Sequence, residues 1–253
     1  GCDTHHVREG QPIAHAIPEV NPVVQDWESS KEPLDKQNYG GQKSTYTYTS
    51  LVSYLNNFAP VHLIENLYQY DEVTPNDILI LKTPTKAFEM EIQEKIHRFV
   101  KEGGSLFLIG DHTNLLNMSK HLNEIAMEYG FKFNYDATYD TKTTGLSVFN
   151  RSYPLFQSGI THEVPYYHFA TSCSISSSLG ARSIIIGNAL TSEFMDLSTP
   201  HYFNNMKPEA EDGFGLFEQC ISVRKGKGKI IAFSDSTTFS SFSVFMHKNP
   251  EFI

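Results

Sequence analysis

Two short stretches concentrate side chains able to donate, accept or ligate. "SLFLIGDHTN", residues 105–114, ends an apolar run in Gly110 and then sets Asp111, His112, Thr113 and Asn114 in a row. "KIIAFSDSTT", residues 229–238, ends a similar run in Ser234, followed by Asp235, Ser236, Thr237 and Thr238. A carboxylate and hydroxyls at the mouth of a helix do one of two things. They cap the helix by accepting from its first unpaired N–H groups. Otherwise they hold a cation, a sugar hydroxyl or another polar ligand. Capping suffices for Asp235 and Ser236, and equally for Thr113 and Asn114. Asp111 and His112 exceed what a cap needs. His112 is a base near neutral pH, with Asp111 as its orienter or as a ligand. Adjacent strand residues point to opposite faces, so the two share a site only if the chain turns there. Asp111, His112 and Asp235 are the candidate catalytic residues. Thr113, Asn114, Ser236, Thr237 and the loop residue His201 (in "STPHYF") are the candidate ligand-binding residues. For His201 the competing reading is a partly buried loop histidine.

Other polar residues carry less. His162, Glu163 and His168 in "THEVPYYHFATSC" fit no short metal-ligand spacing and read as surface polarity. His5 and His6 lie near one end of the chain and read as inert. Cys173 lacks the strand–elbow–helix motif of a nucleophile. "GKGK", residues 226–229, lacks the Ser or Thr of a phosphate-binding loop and reads as a hairpin turn. No G-x-G-x-x-G follows the first strand, which excludes a dinucleotide fingerprint. No cofactor is expected, and no metal site; a divalent cation at the carboxylates stays open.

The elements that must position these residues follow from periodicity. "DILILKTP" is a short continuous apolar run bounded by turn residues, hence a buried strand. "TKAFEMEIQEKIHRFVKEGG" repeats Phe88, Ile92, Ile96, Phe99 and Val100 at helical spacing, with Thr85 as cap candidate and Gly103-Gly104 as stop. "SLFLIG" is the next strand, "NLLNMSKHLNEIAMEYG" the next helix, and "FKFNYD" a further strand. Upstream, "NPVVQDW" and "PVHLIEN" read as strands. "TYTYTSLVSYLNNF" reads as a helix capped by Ser44 or Thr45. Downstream, "ARSIIIGN" is a strand, "GFGLFEQCISVRKGKGKIIAFSD" two strands about residues 225–228, and "STTFSSFSVFM" the start of a last helix. Alternating strands and amphipathic helices imply right-handed βαβ units. The expected fold is an α/β three-layer sandwich around a mostly parallel sheet, flavodoxin-like, with an irregular insertion at about 137–180. Residues 1–44 form an extended N-terminal segment with one strand, packed on a single domain at 45–253. Ligands of such sheets bind outside the carboxyl ends of the strands, where both acidic stretches fall.

Composition narrows the classes. With 253 residues, 40% of them apolar, the chain builds a core without disulfide or metal. A net charge of -9 argues against non-specific nucleic-acid binding, which needs a basic stripe. The aromatic excess, 18 Phe and 13 Tyr, includes tyrosines in polar stretches that suit contact surfaces. Cys2, Cys173 and Cys220 form no C-x-x-C pair, so a structural zinc is not expected, and pairing of Cys173 with Cys220 stays open. No run of about 18 apolar residues is present to span a membrane. The "GCDTHHVREG" start reads as a processed or excised end, with Gly-Cys the remnant of a lipoprotein cleavage site, the edge of a membrane helix or a cloning scar.

Residues 77–114 also carry a family likeness. A strand "D-x-L-I-L", a Pro-Thr loop, a helix ending "F-V-x-x-G-G" and a strand ending in a polar turn resemble class I glutamine-amidotransferase-like domains. Among those, the chain is similar to the uncharacterised type of gliding-motility and ABC-transport auxiliary proteins, and to trehalose-utilisation-type domains. "KGKGKIIAFSDSTTFSS" resembles their last strand and turn. The family's catalytic Cys stands in an elbow that here reads Gly110-Asp111-His112-Thr113, so glutaminase activity is not carried over. The resemblance implies a membrane-associated binding domain; the start of the chain points to an extracytoplasmic location, a cytoplasmic one being the alternative. Its ligand would be a small polar molecule or carbohydrate, or a membrane-protein partner, within a transport or envelope-polysaccharide system. The alternatives are a hydrolase using Asp111, His112 and Asp235, metal-assisted or not, and a purely structural interaction domain.

Overall fold

The computed structural model describes residues 14–17, 48–64, 67–140, 147–150, 166–169, 172–194, 213–240 and 243–244. The expected strand at 21–27, the cap candidates Ser44 and Thr45, and His5, His6, His162, Glu163 and His201 lie outside them. The first described strand is β1, Ala14–Ile17, which periodicity did not reveal. After it come helix α1 (Thr49–Leu55), β2 (Val61–Leu63) and β3 (Ile78–Lys82). Helix α2 (Met90–Glu102) leads to β4 (Ser105–Ile109), and α3 (Met118–Ala126) to β5 (Phe131–Phe133). Then follow β6 (Asp136–Asp140), β7 (Ser147–Asn150), β8 (Tyr166–Phe169) and β9 (Ile175–Ser177). The series ends with β10 (Arg182–Phe194), β11 (Gly213–Lys225) and β12 (Gly228–Phe233).

These strands make a mixed ten-stranded sheet in the order β2-β1-β3-β4-β12-β11-β10-β6, with β9 pairing β11 and β5, while β7 and β8 form a separate hairpin. The run from β2 to β12 is parallel. The remainder is antiparallel. The sheet is therefore less parallel than the helix–strand alternation implied. The physical reason is the tight turn at Gly226 (φ +61), which returns β11 directly into β12 without a crossover helix.

Strand alternation divides the core between two faces. Leu79, Leu81, Leu106, Leu108, Ile230 and Ala232 face α2 and α3 through Ile96, Phe99, Val100, Leu122, Ile125 and Ala126. Ile80, Ile109, Cys220, Phe233 and Ile184 face the other way, under Tyr48 and Leu51, Phe169, Phe239 and Val244. Each fully buried Leu or Ile here stabilises the fold by about 2 kcal/mol. Phe233 stacks on Phe169 at 5.0 Å and meets Phe239 edge-on at 5.0 Å.

Helix α2 begins later than its stripe suggested. Glu89, not Thr85, precedes it, and residue 88 is still outside the helix. It ends as expected. Gly103 takes φ 119, and the Gly103 and Gly104 N–H groups donate to Val100 O and Phe99 O, both at 3.0 Å. A Cβ on Gly104 would stand 2.3 Å from the Phe99 ring, so only glycine closes this helix here. The expected last helix is another difference. Among the described residues after Ser236, Thr237–Phe239 make a 3-10 turn rather than the start of an α-helix. Phe239 must lie in the core, and Asp235 accepts from the Thr237 N–H and the Thr238 hydroxyl, which together favour the tight turn.

Candidate functional site

Three adjacent parallel strands bring their carboxyl ends level, with Lys82 in register with Ile109 and Ile109 with Phe233. All three belong to the face covered by α1, because Lys82 follows Ile80 by two residues. Beyond them the chain enters three polar loops. The Thr83 N–H still donates to Ile109 O at 2.9 Å, and the Gly110 N–H to Phe233 O at 2.8 Å, so the sheet is zipped to its edge. A Cβ on Gly110 would come within 2.6 Å of the Phe133 ring. That close approach lets the chain turn at Asp111.

Asp111 is buried, and each of its oxygens accepts a hydrogen bond. Oδ1 accepts from the His112 N–H at 2.7 Å, and Oδ2 accepts from Ser236 Oγ. Ser236 Oγ in turn accepts from the Tyr48 hydroxyl at 3.0 Å. Lys82 sets its ammonium 3.8 Å from the Tyr48 ring centroid and 3.1 Å from Thr83 Oγ1. Tyr48, Lys82, Asp111 and Ser236 are each at most 7% exposed. A cation, a phenol, a hydroxyl and a carboxylate thus form one chain of contacts across β3, β4, β12 and the entry to α1. His112 stands at its margin, with Nε2 3.5 Å from Asp111 Oδ1 and Nδ1 3.0 Å from Thr113 Oγ1.

The other candidates divide between site and scaffold. Asn114 Oδ1 accepts from the Lys120 N–H at 2.9 Å, a capping bond to the third residue of α3. Thr113 makes no such cap and serves His112 instead. Asp235, fully buried, accepts from the Thr237 N–H at 2.9 Å and from Thr238 Oγ1 at 2.7 Å, so both oxygens hold its own turn. Thr237 contributes its N–H to that turn, and its carbonyl accepts from Ser240 Oγ at 2.6 Å. The structure therefore joins Asp111, His112, Thr113 and Ser236, and sets Asp235 beside them as a brace.

Cys173 lies within electrostatic reach of both turns. Burial pushes its thiol well up, and the negative charges of Asp136, Asp111 and Asp235 add to that. Its N–H donates to Ser234 O at 3.3 Å. A thiol held neutral in this way is no nucleophile. Cys220 is likewise raised by burial, and both cysteines are free thiols.

Sequence reasoning missed Tyr48 and Lys82. The signal for Lys82 was a cation closing the apolar run "ILILK". Tyr48 left no local signal, because its partner is 188 residues away. Buried hydroxyls were missed as well. Thr85 Oγ1, Ser119 Oγ and Ser234 Oγ have no hydrogen-bond partner among the described residues. They sit in the loop after β3, the first turn of α3 and the loop after β12. Buried hydroxyls without partners call for a ligand or water. Among the described residues, no three His, Cys, Asp or Glu side chains converge as a metal would require. None of the described helices is long and apolar enough to cross a membrane.

No protein-family model matches the chain, and no curated protein matches it by sequence. Solved structures do match in shape. The N-terminal domain of mmIFT52 superposes with TM-score 0.60 at 12% identity, over 96% of this chain and 93% of that one. A cytoplasmic protein of Salmonella typhimurium LT2 gives 0.51 at 11% identity, over 96% and 92%. A putative ThuA-like protein of Bacteroides uniformis gives 0.48 at 9% identity, over 100% and 91%. At these identities the likeness concerns the fold alone.

Proposed function

We propose that this chain is an amidotransferase-like binding domain without glutaminase chemistry, taking a small polar ligand, a carbohydrate by class, at the carboxyl ends of β3, β4 and β12. Descent from a flavodoxin-like sandwich is supported by the order β2-β1-β3-β4-β12, the doubly wound 2-1-3-4-5 order. The observation that carries the binding reading is the Lys82–Tyr48–Ser236–Asp111 chain, which offers a cation, hydroxyls and a carboxylate where such sheets take ligands. Mixed donors and acceptors suit sugar hydroxyls. His112 stands at the margin, and the Thr85 hydroxyl in the loop after β3 and the Ser119 hydroxyl in the first turn of α3, without partners among the described residues, add donors at this end of the strands. The domain serves a membrane-linked transport or envelope-polysaccharide system, as its sequence resemblance implies.

A hydrolytic reading of the same residues rests on the 3.5 Å approach of His112 Nε2 to Asp111. Among the described residues it has no activated side-chain nucleophile, since the Ser236 hydroxyl donates to a carboxylate rather than to an imidazole and the Cys173 thiol is held neutral, which leaves water with His112 as the base.

A thermal-shift screen with sugars, alone and with divalent cations, tests the proposal. A stabilising sugar is expected whose effect disappears in Asp111→Ala and in Lys82→Met. Shifts that survive both changes would place the ligand elsewhere. Turnover of a glycoside, lost in His112→Ala, would favour the hydrolase.

A further inference from the structure

We infer that the amino-terminal end of the sheet, opposite the polar site, is a docking surface for an anionic lipid bilayer. Although the chain is acidic overall at -9, the run "RKGKGK" puts Arg224, Lys225, Lys227 and Lys229 around one hairpin turn, and all four are exposed. The turn is fixed against the core. A Cβ on Gly228 would stand 2.2 Å from Val100 O, and Lys227 Cβ lies 3.5 Å from where a Gly103 side chain would begin. Hence exposed Lys101, in the last turn of α2, adjoins the same rim. Arg224 is also the direct cross-strand partner of Lys229. Two like charges in that position destabilise a sheet. For Arg224, Lys227, Lys229 and Lys101 the described residues supply no ion pair; Lys225 has only Glu128, at 3.9 Å and exposed. The cost is offset if an external anionic surface covers the rim.

Apolar side chains project from the same end. The Ser178 N–H donates to Gly130 O at 2.9 Å, so the turn before β10 abuts the end of α3, next to Glu128 and thus to Lys225. At the tip of that turn Leu179 is fully exposed, and Met127 is 67% exposed beside it in sequence from Glu128. Lysines with a projecting Leu and Met match a bilayer interface: the cations meet anionic headgroups while the apolar tips enter the acyl boundary. The overall negative charge does not oppose this, because screening at physiological salt acts over about 8 Å and leaves the local rim in control. Docked this way, the polar site at the far end of the sheet faces away from the bilayer.

Vesicle flotation tests the inference. The intact protein is expected to float with phosphatidylcholine vesicles containing phosphatidylglycerol, and not with phosphatidylcholine alone. High salt should release it. The combined variant Lys225→Gln, Lys227→Gln, Lys229→Gln should weaken binding about a hundredfold. Leu179→Asp should weaken binding less while keeping its salt dependence. Matching circular dichroism and melting of the variants separates lost binding from lost fold. The sugar-induced thermal shift should persist in them, which separates this inference from the site proposed above. Failure to float, equal flotation with neutral vesicles, or flotation unchanged in the triple variant would overturn it. So would salt-sensitive binding to polyglutamate without binding to vesicles, which would assign the rim to an acidic protein.

Discussion

The turns after β4 and β12 begin alike, an apolar strand followed by an aspartate and hydroxyl residues, yet they differ in what the aspartate does. Asp235 holds its own turn, accepting from the Thr237 N–H and the Thr238 hydroxyl. Asp111 reaches across to Ser236, 125 residues away. Their backbones differ in the same sense. Thr113, Asn114 and Asn117 take φ of 63°, 58° and 64°, whereas no residue of the 234–240 turn has a positive φ. Left-handed backbone at a β-branched residue is costly, and such strain gathers at binding and catalytic sites. One turn is built for stability. The other is held in an unfavourable shape that keeps His112 and Asp111 together.

The widest separation of the two should come from removing each carboxylate. Asp235→Ala removes the acceptor of a part-buried N–H and of a buried hydroxyl and is expected to cost about 3 kcal/mol in denaturant unfolding. Asp111→Ala should cost about 2 kcal/mol, since Ser236 keeps its bond from Tyr48, but it should abolish the ligand-induced shift. If the two variants lose equal stability and both still respond to ligand, the division into brace and site is wrong.

The Cys173 thiol reads the charge of both turns. Its folded value is raised, so the neutral thiol favours the folded state. That contribution is complete below the unfolded value of 9.0 and is lost as pH rises above it towards the folded value. Stability should fall above pH 9 by about 1.4 kcal/mol per pH unit for each such buried thiol, Cys220 included. Cys173→Ala should remove one thiol's share of the slope, measured by denaturant unfolding at stepped pH. An unchanged slope would mean that the thiol is not held neutral.

The legible parts were those fixed by local pattern. The strands at 78–82, 105–109 and 228–233, the stop at Gly103 and the hairpin turn at Gly226 all follow from short-range signals, and all are present. Capping by Asn114 and Asp235 was legible for the same reason. What escaped was set by distant contacts. The 3-10 turn after Ser236 replaces a helix because Phe239 packs against Phe107 and Phe233. Strand β1 is only four residues long and is defined by its neighbours β2 and β3. Of the site, Asp111 and His112 stood out because capping could not account for them. Tyr48 and Lys82 did not, since a Tyr before a helix and a Lys closing a strand become partners only when the sheet stacks them.

The smallest effect is the most telling about strain. Thr113 and Thr238 are both buried threonines whose hydroxyls serve a neighbour, His112 in one case and Asp235 in the other. Thr238→Gly loses its bond to Asp235 and frees the unfolded chain, with nothing in return, and should cost about 2 kcal/mol. Thr113→Gly loses a comparable bond but relieves a β-branched residue at φ 63°, worth about 1 kcal/mol. Its net cost should therefore be smaller by about that amount, while ligand response falls because His112 loses its partner. Equal costs in parallel unfolding curves would show that the Asp111 turn stores no strain, and the difference between the two turns would then reduce to which hydroxyl each aspartate happens to meet.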